Sequence, residues 1–334
     1  MEHKNSSQFV SNIACDICEG HLITKEEALK LANDVALKEL LYYANLIRTS
    51  CCGKEFNFCS IINAKSGMCS ENCSYCAQSR FYKTNCNVHP LIPLSSALDA
   101  ALYADKKGIN RFSLVASGRG LTCSSSDLPQ IQNIYKTLSK ETSLHLCASF
   151  GIVDKEVLTL LKESGVKTYH HNLESSRNFF PKICTTHTYD DRIKTLQNCK
   201  AVGLDICSGG IFGLGETLED RLDMAFELRE LGVTSVPINI LSPIAGTPLE
   251  HNKPLSKDTI LKSMALLRFI LPTAYLRFAG GRVALKPKVK DALTGGINAA
   301  LTGDFLTTTG DCVDDDFNLI FSLGFTHSKR KTNE

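Results

Sequence analysis

Residues 144–172, LHLCASFGIVDKEVLTLLKESGVKTYHHN, hold in one stretch the pattern that decides the fold. LHLCASF (144–150) alternates apolar and polar side chains with period two, as a strand does. VLTLLKESG (157–165) carries leucine and valine at helical spacing and stops on glycine, and VKTYHHN (166–172) returns to a strand-like run. Working outward, the same strand–helix alternation recurs. Strand candidates are FNFCSII (56–62), RFSLVAS (111–117), GLDICSGGI (203–211), TSVPINIL (234–241), AYLRFAG (274–280) and FLTTTG (305–310). LEDRLDMAFELRELG (218–232) is another helix ending in glycine. Eight strands alternating with helices predict a (β/α)8 TIM-type barrel, with a doubly wound open sheet as the alternative. Residues 22–48 add an N-terminal helical extension, opened by a capping box of Thr24 and Glu27. No linker divides the chain. It reads as one barrel domain over 22–326, with flexible tails at 1–21 and 327–334.

Alternation also assigns faces. Leu144, Leu146 and Ala148 share one face of their strand, and His145, Cys147 and Ser149 the other. Leu204 and Ile206 oppose Asp205 and Cys207; Ala274, Leu276 and Phe278 oppose Tyr275 and Arg277. Helices cover the outside of a barrel, so the apolar faces look outward. The inward set then includes Cys59, Ser113, Cys147, Cys207, Arg277, Asn172 and Asn239, where branched aliphatics would be usual. A buried, unpaired arginine is costly, which predicts an anionic group beside Arg277 and a site enclosed by the barrel.

The 334-residue composition is ordinary, with 43% hydrophobic and 22% charged residues, which excludes a disordered or low-complexity chain. A net charge of +2 gives no field for holding nucleic acid by its phosphates, and no apolar run is long enough for a membrane helix. The segment Met1 to Asn12 lacks an apolar signal core, which predicts a cytoplasmic location. Cysteine is the outlier at 15 residues. In a reducing compartment so many thiols point to metal, cluster or redox chemistry, although some, such as Cys184 and Cys199, read as small buried hydrophobes.

Directly after the first strand comes AKSGMCSENCSYCAQS (64–79), with Cys69-x3-Cys73-x2-Cys76. Three thiolates this close can hold three corners of an iron–sulfur cluster. A structural zinc site would want four ligands. Three leave one iron open, on the face where barrel enzymes place catalytic loops. With Tyr75 before the last cysteine, the motif resembles that of the radical S-adenosylmethionine superfamily. The resemblance implies a [4Fe–4S] cluster whose open iron binds S-adenosylmethionine and whose electron cleaves it to a 5′-deoxyadenosyl radical.

The wider sequence resembles the biotin synthase family over about 22–326, through NAKSGMCSENCSYCAQS, YHHNLESS, TYDDRIKTL, CSGGIFGLGETLEDR, VPINILSPIAGTPL and PTAYLRFAGGR. The resemblance implies sulfur insertion into dethiobiotin, two S-adenosylmethionine molecules per product, and an auxiliary iron–sulfur cluster as sulfur source. By that resemblance Cys69, Cys73 and Cys76 hold the radical cluster. Tyr75, Asn172, Glu174 and Arg192 surround S-adenosylmethionine, with Arg192 on its carboxylate and Glu174 on its ribose. Asn172 and Asn239 face dethiobiotin. Cys147, Cys207 and Arg277 match auxiliary-cluster ligands. A low-potential donor such as flavodoxin or ferredoxin, and a homodimer, are further implications.

One departure stands out. The family's third auxiliary cysteine lies on strand two, where this chain has Ser113, a poor iron ligand. Cys59, inward on strand one with Asn57 and Ile61, reads as the relocated ligand, so the auxiliary cluster is [2Fe–2S] or something larger. Cys15, Cys18, Cys51, Cys52, Cys86, Cys123 and Cys312 match nothing in the pattern. The competing functions are a related radical barrel enzyme (carbon-skeleton rearrangement or hydrogenase maturation), a non-catalytic iron–sulfur carrier, and a zinc module.

Overall fold

The computed structural model describes residues 2–303 and 312–327. Three helices come first: α1 (Glu2–Cys18), α2 (Lys25–Asp34) and α3 (Leu37–Cys52). The strands follow as β1 (Glu55–Lys65), β2 (Arg111–Ala116), β3 (His145–Ser149), β4 (Thr168–His170), β5 (Asp205–Cys207), β6 (Gly210–Phe212), β7 (Ser235–Ile240), β8 (Tyr275–Phe278), β9 (Ala299–Leu301) and β10 (Thr326–His327). Between them run α4 (Leu94–Lys106), α5 (Leu128–Glu141), α6 (Lys155–Glu163), α7 (Tyr189–Ala201), α8 (Leu218–Glu230), α9 (Lys257–Ile270), α10 (Val289–Leu293) and α11 (Val313–Ser322). All strand pairings are parallel, in the order β10-β1-β2-β3-β4-β5-β7-β8-β9. β9 also pairs with β1. That last pairing closes the sheet into a barrel and rules out the open, doubly wound alternative.

The fifth barrel strand is interrupted. β5 and β6 both pair with β7, with Ser208 and Gly209 between them. The reason lies in CSGGI: a Cβ on Gly209 would meet the Pro237 carbonyl oxygen at 1.9 Å, and one on Gly210 the Met224 sulfur at 2.4 Å and the Glu174 carbonyl oxygen at 2.6 Å. Only glycines let the chain pass there.

Two sequence expectations change, and one is refined. Residues 1–21, read as a flexible tail, contain α1. Its Val10, Ile13, Ala14 and Ile17 are buried at helical spacing, a stripe hidden in a mostly polar segment. The helical extension at 22–48 divides into two helices, because Val35 and Ala36 are extended, and the Thr24–Glu27 capping box is formed. The eighth strand is β9, not 305–310, which lies outside the described residues, as does 328–334. Short and glycine-preceded, Ala299–Leu301 carries almost no strand signal of its own. It is a strand because β8 and β1 hold it from both sides.

Candidate active site

The barrel registers define its interior layers. Cys59 pairs with Arg111 and Arg111 with His145; two residues beyond His145 is Cys147. The same step leads from Cys147 through Thr168 and Asp205 to Cys207. It continues through Ser235 and Tyr275 to Arg277, then through Ala299 and Asn57 back to Cys59. Four such steps close the ring with the stagger of about eight residues that a (β/α)8 barrel has, so these four side chains form one layer drawn from alternate strands. Ser113 falls in the next layer up, with His170, Pro237 and Leu301, and Arg111 in the layer below, with Thr168, Ser235 and Ala299.

All three thiols of the layer are buried, and so is Arg277. The neighbouring Cys147 thiol, with Arg277 and Arg111, brings the Cys59 thiol down to about 7 against burial; burial pushes Cys147 up. Cys207 donates to Ser235 Oγ at 3.2 Å. Arg277 donates from Nη1 to the Asn57 and Ala300 carbonyls, both at 3.1 Å, and from Nη2 to Asn57 Oδ1 at 2.7 Å. Arg111 donates to Thr168 Oγ1 at 3.3 Å and lies over the Tyr275 ring. Neither arginine forms an ion pair with a carboxylate among the described residues. Three thiols and two guanidiniums without carboxylate partners among the described residues fit an anionic, thiolate-held group.

The second thiol group sits above the barrel. After β1 the chain turns through Gly67 and Met68, both at positive φ, into the three-cysteine loop. Backbone bonds from Cys69 N to Gln78 O (2.9 Å), Arg80 N to Cys69 O (2.9 Å) and Cys76 N to Cys73 O (3.0 Å) fold it on itself. Cys73 is buried, and Cys69 and Cys76 are half-buried. Cys73 Sγ lies 3.7 Å from Cys184 Sγ, and Cys184 lies 3.3 Å from His187 Nδ1. His187 Nδ1 meets Glu71 Oε2 at 2.5 Å, and its Nε2 accepts from Arg192 Nε at 3.2 Å. An acceptor at Nδ1 (Glu71) and a donor at Nε2 (Arg192) fix the imidazole as the Nδ1–H tautomer. The bond with Cys73, together with those from His187 and Thr186, takes Cys184 down to about 3, and Cys73 rises correspondingly. Cys184 was read from the sequence as packing alone; it touches a candidate cluster ligand instead.

Arg192, on the first turn of α7, is buried rather than solvated. It donates from Nη1 to the Asn172 carbonyl at 2.6 Å and lies 3.8 Å from Glu174 Oε1. Glu174 holds positive φ (71°), and burial raises its carboxyl against the opposing effects of Arg192 and Tyr75; it accepts from Asn172 Nδ2 at 3.4 Å. Its backbone pairs with Gly209 and Ile211, at the break in the fifth strand. Tyr75, Asn172, Glu174 and Arg192 therefore meet beside the cysteine loop. Asn172 and Asn239 share one interior layer three levels above the thiols, by the same registers. Asn239 Oδ1 accepts from Gly280 N at 2.9 Å and its Nδ2 donates to Gly210 O at 3.3 Å, leaving one N–H and one lone pair. Asn172 Oδ1 accepts from Gly209 N at 3.2 Å. Face alternation alone also reaches Asn63, on the inward face of β1, whose buried Oδ1 has no partner in the structure. Glu71, His170 and His187 were not singled out from the sequence; only their spatial neighbours reveal them.

Comparison with known proteins now bears on this site. The radical SAM superfamily profile matches residues 65–228, and the biotin and thiamin synthesis associated domain matches 237–326. A curated biotin synthase of Campylobacter hominis is 58% identical over 320 residues, covering 96% of this chain and 98% of its own. One from Fusobacterium nucleatum is 52% identical over 331 residues, covering 97% and 92%. The chain belongs to the biotin synthase family. The two matched regions divide the site: the loop cysteines, Cys147, Glu174, Arg192 and Cys207 fall in the first, and Asn239 and Arg277 in the second. Among solved structures, methylornithine synthase superposes with a TM-score of 0.82 at 17% identity, covering 95% of this chain and 97% of its own. A maturase of the [FeFe]-hydrogenase gives 0.81 at 17% identity, covering 98% and 78%. At that identity these share the fold, while the biotin synthase family is set by the curated relatives. Members of the family are radical SAM enzymes with a [4Fe–4S] cluster and an auxiliary iron–sulfur cluster.

Proposed function

We propose that this chain is a sulfurtransferase converting dethiobiotin to biotin, with the loop cysteines at the radical-generating cluster and the interior layer at the auxiliary one. The observation that carries the reading is that layer: Cys59, Cys147, Cys207 and Arg277 come from four strands distant in sequence and converge on one level of the barrel. A carrier or a rearranging enzyme has no need of a second inward thiol set. When bound, the two clusters and S-adenosylmethionine supply a 5′-deoxyadenosyl radical and a sulfur atom, chemistry beyond protein side chains.

The chain's own residues bind, orient and shield. Arg192, held by the Asn172 carbonyl and the His187–Glu71 pair, presents a fixed guanidinium to a carboxylate. Glu174 and Tyr75 offer polar contacts to a ribose. Asn172, pinned by the Gly209 amide of the broken strand, and Asn239, pinned by the Gly280 amide after β8, hold their remaining donors and acceptors toward a cyclic urea. Between amides and thiols, Ser113, His170, Pro237 and Leu301 form a mostly uncharged partition. Burial and the nearby guanidiniums of Arg277 and Arg111 bring His170 down to about 3, so it adds no charge there.

Cys59 takes the place of the strand-two ligand, because it shares the layer of Cys147 and Cys207 whereas Ser113 does not; the auxiliary group is then a [2Fe–2S] or a larger cluster. Electrons come from a low-potential donor of the flavodoxin or ferredoxin kind, and the enzyme works in the cytoplasm as a homodimer. The test is anaerobic reconstitution with iron and sulfide, followed by a single-turnover assay for biotin and 5′-deoxyadenosine from dethiobiotin. Both products are expected. 5′-Deoxyadenosine without biotin would leave the radical site standing and remove the sulfur-insertion reading.

A further inference from the structure

A second group of thiols lies at the opposite, N-terminal end of the barrel, and the reaction above does not use it. Cys18 at the end of α1 and Cys51 on the last turn of α3 both line a cavity of about 440 Å³. Its other walls include Gly20, His21, Arg229, Thr234, Thr273 and Ala274. Thr234 and Ala274 immediately precede Ser235 and Tyr275, the first residues of β7 and β8, so the cavity lies just outside the barrel floor. Ser235 is the residue that holds the Cys207 thiol.

The two thiols face the same cavity with Cys52 close by; burial and the neighbouring thiols push Cys51 up, and Arg268 pulls the other way. Behind them Arg268 is fully buried, and it forms no ion pair with a carboxylate among the described residues. It donates to the carbonyls of Gly296 (2.8 Å), Leu271 (3.1 Å), Pro272 (2.9 Å) and Ala274 (2.9 Å), to Asn298 Oδ1 (2.9 Å) and to Cys52 Sγ (3.4 Å). An uncompensated buried guanidinium favours thiolates and other small sulfur anions beside it. Two thiols on one solvent-reached cavity with a fixed positive charge behind them make a sulfur-handling site.

We propose that Cys18 and Cys51 form a dithiol that takes the outer sulfur of a persulfide and releases it as sulfide beneath the auxiliary-cluster layer, a role that rests on the sulfur-insertion reading. The Cys18 thiolate attacks the outer sulfur of a donor R–S–SH. A new S–S bond forms on Cys18, and R–S⁻ leaves with the electron pair and is protonated. Cys51 then attacks Cys18 Sγ: the Cys18–Cys51 disulfide forms, HS⁻ departs and takes up the Cys51 proton as hydrogen sulfide. The outer sulfur is reduced by the two thiols, which are oxidised to the disulfide, and a small dithiol returns them to the starting state.

The experiment treats the reconstituted full-length enzyme anaerobically with glutathione persulfide carrying a heavy sulfur isotope in its outer position. Labelled sulfide is trapped and the cysteine peptides are mapped by mass. The wild type is expected to release labelled sulfide and gain a Cys18–Cys51 disulfide. Cys51→Ser should stall as a Cys18 persulfide, heavier by one labelled sulfur, with sulfide release lost. Cys18→Ser should do neither, and Cys15→Ser, one turn away on α1 and outside the cavity wall, should match the wild type. Wild-type release of labelled sulfide from Cys18→Ser, or the absence of label and disulfide at Cys18 in the wild type, overturns the proposal. Single-turnover biotin formation, measured alongside, depends only on the loaded clusters and is expected unchanged in all three variants. Its absence in the wild type would remove the reading on which this role rests, while the sulfide measurement reports on the dithiol independently.

Discussion

Cys184 Sγ lies 3.7 Å from Cys73 Sγ, so a thiol outside the three-cysteine motif touches one of its members. Glu71 and His187 hold Cys184 in place from the other side. With Cys73 as an iron ligand its thiolate becomes the acceptor and Cys184 the donor. Hydrogen bonds to cluster sulfurs raise reduction potential. Cys184→Ala should therefore keep a full complement of loop-cluster iron but lower its potential, whereas Cys184→Ser should lie between. Potentiometric titration followed by electron paramagnetic resonance reads this directly. An unchanged potential in the alanine variant would show that the contact does not reach the cluster.

The layer that joins Cys59 to Cys147, Cys207 and Arg277 makes a sharper prediction. Cys59→Ser should lose the auxiliary cluster and biotin formation yet still cleave S-adenosylmethionine, since the loop cysteines lie at the other end of the barrel. Ser113→Ala should keep both clusters, because its hydroxyl, 3.4 Å from the Leu114 carbonyl, sits in the layer above. Iron and sulfide counts on both variants, with Mössbauer spectra to type the cluster, give the answer. A full auxiliary cluster in Cys59→Ser would mean that Cys59 is only packing.

Strand alternation was enough to turn Cys59, Cys147, Cys207 and Arg277 inward, because period two survives in single strands. It could not say that they share a level. That depends on the stagger between strands, which is a property of the closed barrel and is encoded in no one segment. The break after Cys207 was likewise hidden: CSGGI reads as one strand until Pro237 and Met224 crowd it from neighbouring elements. The His187–Glu71 pair joins residues 116 positions apart, beyond any local pattern. α1 was missed for a different reason: its four buried apolar residues are diluted by polar ones, and packing against α3 repays their burial.

Acid should destabilise the fold through two adjacent histidines. Burial, with Arg277 and Arg111 nearby, lowers His170 from 6.5 to about 3, and burial lowers His171 well below 6.5. Both are neutral in the folded chain and protonate only on unfolding. Their contribution is complete above the unfolded value near 6.5 and is lost progressively as pH falls below it. Between pH 7.5 and 5.5 His170 should cost about 1.4 kcal/mol of unfolding free energy, and His171 adds in the same direction. Urea denaturation of the cluster-free chain at the two pH values tests this, and His170→Asn should shrink the difference by its own share of about 1.4 kcal/mol. A stability independent of pH across that window would mean that the fold holds neither imidazole neutral.

Asn239 does two jobs at once, and they can be separated. Its side chain ties β7 to both neighbours, accepting from Gly280 N and donating to Gly210 O. One N–H and one lone pair remain for a ligand. Asn239→Ala removes all four capacities, so it should weaken dethiobiotin binding by roughly 1–3 kcal/mol and also destabilise the fold by leaving the Gly280 amide without its acceptor. Asn239→Asp keeps the acceptor for Gly280 but loses both N–H donors and introduces a charge beside a neutral ring. Its fold should stay closer to wild type while dethiobiotin affinity falls at least as far as in the alanine variant. Thermal unfolding separates the first effect, and equilibrium binding of dethiobiotin in the presence of S-adenosylmethionine the second. Wild-type affinity in Asn239→Asp would place the ring away from this residue, and the amide would then be only a clasp between strands.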